Sequence, residues 1–224
     1  MDFKRNKRYF EPINWKFSII AIIIGLIFLA ASPVVGIIII AIPVAYLFFK
    51  IKGRPTDAEI DALVEKEASL AIQKGYDKLG VDPDEVNLIE PIVIHGPRFS
   101  RIGKPYLTKA GKDGFVRSSN HDIMTFFFSE QQVYFYKYSF SFIEDEKNES
   151  TDEYFYRDVV SVSTSSTSTT YLDSRTKKEE TFNLEIFKLT TSGATSMECA
   201  IRDSVTVEPQ IRGMKNLLRE KKSA

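Results

Sequence analysis

Residues 17–49 contain no Asp, Glu, Lys or Arg, and this 33-residue apolar run constrains the chain more than any other feature. As one straight helix it would be about 50 Å long, against a bilayer hydrocarbon core of about 30 Å. The sequence marks a break at Ala31-Ser32-Pro33. Proline cannot donate to a helix begun before it, but it suits the first turn of a new one. The run is therefore read as a transmembrane helical hairpin, residues 17–31 and 33–49, with almost no loop. Pro43 is expected to bend the second arm. A cleaved signal peptide is the competing reading. Its apolar core would be about 7–15 residues long. Here the run passes beyond Ala30-Ala31-Ser32 and ends in a basic flank.

Orientation follows from those flanks. Lys4, Arg5, Lys7, Arg8 and Lys16 precede the run, and Lys50, Lys52 and Arg54 follow it. Basic flanks on both sides of an uncharged turn predict that both ends lie in the cytoplasm. Trp15 and Tyr46 fall where interfacial aromatic rings are favoured. The expectation is a multi-pass protein of the cell (inner or plasma) membrane with a cytoplasmic soluble domain. Residues 1–16 form its basic cytoplasmic N-terminus.

The segment 50–89 is read as a linker and an amphipathic helix. Gly53-Arg54-Pro55 ends the apolar helix, and residues 56–91 carry ten acidic side chains against three lysines. Thr56 and Glu59 have capping-box spacing. Ile60, Leu63, Val64, Ala68, Ala71, Ile72, Gly75 and Leu79 recur at helical spacing, and Gly80 suits a left-handed cap. A helix over 57–79 is predicted, its stripe covered by the next domain or by a second copy.

From residue 90 the period changes to two. Residues 92–94 read as a short strand ended by Gly96-Pro97, and residues 122–129 and 132–143 as a pair joined by a tight turn at Glu130-Gln131. On the second of these, Tyr134, Tyr136, Tyr138, Phe140 and Phe142 share one face, read as core with a binding groove as the alternative. A charged loop over 144–152, strands at 153–163 and 181–190, and a turn at Ser192-Gly193-Ala194 follow. The tract 161–170 suits an exposed strand or a loop. Met197, Cys199 and Ile201 alternate inward. Pro209 is read as the first turn of a closing helix that presents Val207, Ile211, Met214 and Leu218. The fold class is α+β: the hairpin, the amphipathic helix, then an antiparallel β domain over 90–224 closed by a C-terminal helix.

The outline of residues 90–222 resembles a bacterial pleckstrin-homology-like (PH-like) domain. The similarity rests on residues 124–129, Glu130-Gln131, residues 133–138, the step Tyr156-Arg157-Asp158-Val159-Val160-Ser161-Val162 and a helix over 208–222. The chain departs from that pattern over 98–120 and in the Ser/Thr tract. The resemblance implies binding or assembly at a membrane and no catalytic residues.

Residues 98–117 hold Arg98, Arg101, Lys104, Lys109, Lys112 and Arg117 against Asp113 alone, interrupted by glycine and proline. They read as an exposed loop or loose hairpin, either solvated or touching anionic headgroups. His95 and His121 are 26 positions apart without metal or catalytic spacing, and Cys199 reads as a core thiol. The 30 basic and 30 acidic residues balance, which gives no reason to expect nucleic acid. One cysteine excludes an internal disulfide and a cysteine zinc cage. No phosphate loop, dinucleotide fingerprint or nucleophile elbow occurs, so no metal, cofactor or enzymatic activity is expected. The expected function is a membrane-anchored, non-catalytic module that binds another protein at the bilayer. The alternative is headgroup binding through 98–117. A weak homo-oligomer is also expected, through the helix stripe and the small residues of the hairpin, among them Gly25 and Gly36.

Overall fold

A computed structural model of the chain describes residues 1–13, 15–193, 195–202 and 204–223. The helices are α1 (Phe3–Phe10), α2 (Trp15–Ala31), α3 (Pro33–Lys52), α4 (Asp57–Leu79) and α5 (Ser204–Ser223). The strands are β1 (Ile92–Arg98), β2 (Thr108–Ala110), β3 (Val116–Ser118), β4 (Asn120–Phe128), β5 (Gln132–Ser141), β6 (Lys147–Phe155), β7 (Val159–Leu172), β8 (Glu179–Thr191) and β9 (Ser196–Ile201). The architecture is α+β, with an apolar helical region at the N-terminal end, antiparallel sheets and a C-terminal helix.

The helix break falls at Ser32, as Pro33 predicts. Where α2 and α3 meet, the glycines allow close approach: a Cβ on Gly36 would lie 2.6 Å from the Leu29 amide nitrogen. Within these helices only Ser18, Gly25, Gly36 and Pro43 are buried, and most of the isoleucines and phenylalanines face outward. The rod Pro33–Leu79 is long and apolar enough to cross a membrane, and its apolar part is α3; α2 meets the same criterion only together with α1.

Residues 3–10, which the sequence marks only as basic, form a helix. Asp2 caps it by accepting from the Arg5 amide at 2.9 Å. Asn6, Tyr9 and Phe10 lie on one face and are buried. The Asn6 amide donates to the Phe142 carbonyl at 3.1 Å. Each aromatic ring withdrawn from water contributes about 1.5–3 kcal/mol, which offsets the ordering of a short helix.

The capping box of α4 forms as its spacing predicts: Glu59 N donates to Thr56 Oγ1 at 3.2 Å and Thr56 N to Glu59 Oε2 at 2.7 Å. Gly80 closes the helix with φ +67°. The stripe Ile60, Val64, Ala68, Ala71 and Gly75 is buried, with Leu63, Ile72 and Leu79 packed at its margin. The sheet covers this stripe within the chain, so its exposure supplies no drive for self-association.

The four-stranded sheet has the order β1-β4-β5-β6, and the three-stranded sheet the order β7-β8-β9. β4 is buried along its whole length because both of its faces are covered. Ile123 and Phe127 meet α4 and α1, together with Tyr136, Tyr138, Phe140 and Phe142 of the aromatic stripe. Met124, Phe126 and Phe128 meet Phe187, Leu189, Met197, Cys199 and the α5 residues Val207, Ile211, Met214 and Leu218.

Several boundaries differ from the sequence reading. β1 does not stop at Gly96-Pro97 but runs to Arg98, with Pro97 opposite His121. As a sheet-edge strand, β1 tolerates a residue without an amide hydrogen. Gly96 admits β9, since a Cβ there would overlap the Ala200 carbonyl, and Arg202 N donates to His95 O at 3.1 Å. Residues 147–152 of the expected loop are instead part of the solvent-facing edge strand β6. The expected strand over 153–163 is cut by a 3-10 turn, Tyr156–Asp158, that carries the chain into the second sheet. The Ser/Thr tract lies within β7 and is mostly exposed. α5 begins at Ser204, so Pro209 sits inside it rather than in its first turn. The turn expected at Ser192-Gly193-Ala194 lies partly outside the described residues at Ala194.

Two substitutions test this packing. Phe10→Ala should cost about 3–5 kcal/mol in urea unfolding followed by circular dichroism. Gly96→Ala should also lower the midpoint, because the Ala200 backbone has to give way. An unchanged midpoint for Phe10→Ala would mean that α1 is not docked.

Candidate functional site

Helix α4 sets Asp57, Asp61 and Glu65 four residues apart, on one side of the helix. The hairpin β2–β3 supplies the complementary charges. Lys109 Nζ donates to Asp57 Oδ1 at 2.8 Å, and the Lys112 amide to Asp57 Oδ2 at 2.9 Å. Tyr9 OH donates to the same carboxylate at 2.7 Å, while Lys109 Nζ stands 3.6 Å from the centre of the Tyr9 ring. Arg117 forms a fork with Asp61, Nε to Oδ1 at 2.8 Å and Nη2 to Oδ2 at 2.7 Å. Asp113 accepts from the same guanidinium at 2.6 Å, and Arg202, from the end of β9, reaches Asp61 Oδ1 at 2.6 Å.

Burial alone would push the Asp57 and Asp61 carboxyls up. The hydrogen bonds outweigh it: Lys109, the Lys112 amide and Tyr9 hold Asp57 far below its ordinary 3.8, and Arg117 and Arg202 hold Asp61 below it. Burial opposes the charge of Arg117, but its bonds to Asp61 and Asp113 raise its pKa further. The carboxylates and Arg117 are thus held in their charged forms, and the cluster is internally compensated.

Beside it opens a cleft of about 390 Å³ between α4, the β2–β3 turn, β8 and the end of β9. Ile60, Val64, Phe142, Leu184 and Ile201 give it apolar walls, and Arg117, Arg202 and His121 give it polar ones. Phe115 stands at its rim, 56% exposed. The volume lies in the range of small-ligand pockets, and the lining suits an apolar group with a polar end. His121 is buried in the cleft wall, and its ring lies 3.3 Å from His95 (Nε2 to Nδ1), so one ring donates to the other. Burial first, then His95 and Arg202, drive its pKa well below 6.5. Cys199 is buried, and desolvation raises its thiol pKa. Among the described residues, no group of three or more His, Cys, Asp or Glu is placed to hold a metal ion.

The six basic residues singled out in the sequence take different places. Lys109 and Arg117 are buried in the cluster. Arg98 donates to Asp122 at 3.2 Å and Ser139 at 3.1 Å. Lys104 is largely exposed and lies 3.4 Å from Glu144. Arg101 and Lys112 are exposed. The segment is therefore a hairpin whose strands are buried, rather than an exposed loop throughout. Asp57, Asp61, Tyr9, Arg202 and the meeting of the two histidines were not singled out. One signal was available for the acidic pair: an acidic helix and a basic segment of opposite excess charge in one chain.

No family model matches this chain, and no curated protein and no solved structure matches it.

Removing one partner of a buried ion pair strands the other. Asp61→Ala should cost about 3 kcal/mol, and Asp113→Ala, at the more exposed side of Arg117, below about 1 kcal/mol. Equal costs in urea unfolding would remove Asp61 from the centre of the cluster.

The pH dependence has a defined sign. The lowered carboxyls bind protons less readily folded than unfolded, so their stabilisation holds above pH 3.8 and is lost as pH falls below it. His121 acts in the same direction at higher pH, because only the unfolded chain takes its proton below 6.5. The unfolding midpoint should therefore fall first between about pH 6.5 and 5, and His121→Gln should remove that step. A flat wild-type profile over this range would contradict it.

Proposed function

We propose that this chain is a membrane-anchored, non-catalytic interaction module, with α2 and α3 forming a hairpin in the bilayer and the β domain presenting the cleft to a partner protein in the cytoplasm. One observation carries the reading. α1, before the apolar helices, and α4, after them, share a single core. Both flanks therefore emerge on one side, so a crossing by α3 requires a return by α2. The outward isoleucines of both helices form an apolar surface that water would not tolerate, and hydrocarbon would. The basic flanks support the cytoplasm as the common side.

The β domain is proposed to be PH-like. A four-stranded meander, with β2–β3 inserted between β1 and β4, leads into a three-stranded meander and a helix that enters the core between them; this order supports the reading. Binding rather than chemistry is favoured because the charged groups of the site neutralise one another and its histidine is held neutral. The contact with a partner would centre on Phe115, Phe182 and Leu184 beside the cleft, where a partner's apolar side chain is offered both a pocket and a polar wall.

Single cysteines test the topology, because native Cys199 is buried. In sealed inside-out vesicles, Asp145→Cys should react with a membrane-impermeant maleimide and Ser32→Cys should not. Reaction of both from the same side would defeat the hairpin.

A further inference from the structure

Arg54 lies just beyond α3, and its guanidinium folds back along that helix. Nε donates to the Lys50 carbonyl at 3.2 Å, and Nη2 to the Pro12 carbonyl, between α1 and α2, at 3.3 Å. Nη1 is buried and has no hydrogen-bond partner among the described residues. A stranded guanidinium N–H is costly, and a local shift that opened it to an acceptor from outside the chain would relieve that cost.

The surroundings add positive charge instead of relieving it. Arg8 lies against the same junction: a Cβ on Gly53 would stand 2.8 Å from its Nη1. Arg175 comes from the turn between β7 and β8. That turn is fastened to β2, with Ser174 N donating to Thr108 O at 2.8 Å and Ala110 N to Asp173 Oδ2 at 3.1 Å. β2 is in turn tied through Lys109 to Asp57, three residues after Arg54. Asp173 caps the turn by accepting from Arg175 N at 2.9 Å and Thr176 N at 2.7 Å, so the arginine is carried on a fixed backbone. After burial, the charge of Arg175 is the largest influence lowering the Arg54 pKa, and Glu11 is the carboxylate that opposes it. Tyr46 acts on the same group from α3.

We propose that Arg54, Arg8 and Arg175 form a notch for the phosphate of an anionic phospholipid headgroup. A phosphate offers acceptor oxygens in several directions, which suits guanidinium donors from the α1 end, the α3 end and the β7–β8 turn. The notch lies at the end of the apolar helices that carries Trp15 and Tyr46, the level at which headgroups sit. A negative headgroup also compensates the excess of three cations over Glu11. These residues are distinct from those of the cleft. The inference rests on the proposed bilayer placement of α2 and α3.

The test uses the full chain reconstituted with equal amounts of phosphatidylglycerol and phosphatidylcholine, then released and read by native mass spectrometry. Wild type should retain phosphatidylglycerol preferentially. Arg175→Gln, an exposed position whose loss leaves the core untouched, should reduce that preference about five-fold, the equivalent of about 1 kcal/mol per cation at an anionic surface. Arg54→Gln should reduce it at least as much. Excess inorganic phosphate should not displace the lipid; displacement would assign the notch to free phosphate and overturn the proposal. Equal retention of the two lipids by wild type, or an unchanged preference in Arg175→Gln, would also overturn it. Maleimide protection of Ser32→Cys in the same preparation separates the two failures. Protection without lipid preference removes the notch alone, and lost protection removes the bilayer placement.

Discussion

The carboxylate of Asp57 is where the chain is tied together. It sits at the first residue of α4, five positions after the end of α3, and it accepts from Tyr9, Lys109 and the Lys112 backbone. One side chain thus joins the helix before the apolar region, the helix after it and the inserted hairpin of the β domain. Taking a carboxylate out of water is costly, and three donors are what make it favourable here. Asp61, one turn on, repeats the arrangement with Arg117 and Arg202 and so brings in β3 and the end of β9. Without these two residues α4 would still bury its stripe, but its rotation and register against the sheet would be set by aliphatic contacts alone.

That fixed placement lets one sheet serve two cores. The α4 face meets aromatic side chains of β4 and β5, and Gly75 brings the helix close enough that a Cβ there would lie 2.5 Å from Phe127. The opposite face is closed by the second sheet and α5. β5 accordingly carries aromatic residues on both faces at its start, where Val133 and Phe135 join the second core. A strand with one wet face has no use for Phe135; a strand between two layers does.

Features governed by local chemistry were legible in the sequence, and those governed by tertiary partners were not. The break at Pro33, the capping box at Thr56, the left-handed Gly80 and the alternation of Met197, Cys199 and Ile201 each follow from neighbours within a few residues. α1 was not legible, because two aromatic residues at the end of a basic octapeptide signal nothing until α4 and Phe142 receive them. Gly96-Pro97 reads as a breaker on its own, and only the approach of β9 shows why glycine stands there. β6 has no apolar alternation to detect, since an edge strand with solvent on its outer side needs none. Within the candidate site, Lys109 and Arg117 were visible as charges, but their carboxylate partners 52 and 56 residues away were not. The two histidines meet because β1 and β4 are antiparallel neighbours with Pro97 opposite His121, a register that no local pattern encodes.

The sheet edges bear on whether copies of this chain can pair through their backbones. β6 ends the first sheet with Lys147, Glu149, Asp152 and Glu153 on an exposed strand, and a second copy pairing there would set an acidic excess against itself. β7 ends the second sheet without charge over its Ser/Thr tract. α5 guards its start, where Lys222 Nζ lies 3.5 Å from the Val160 carbonyl. Farther along, the hydroxyls are engaged inward across the hairpin, Ser168 with Asn183 at 3.2 Å and Thr170 with Thr181 at 3.3 Å. The α4 stripe is already covered. Backbone pairing between copies is thus opposed at one edge and partly obstructed at the other, while the cleft beside Phe115 stays open.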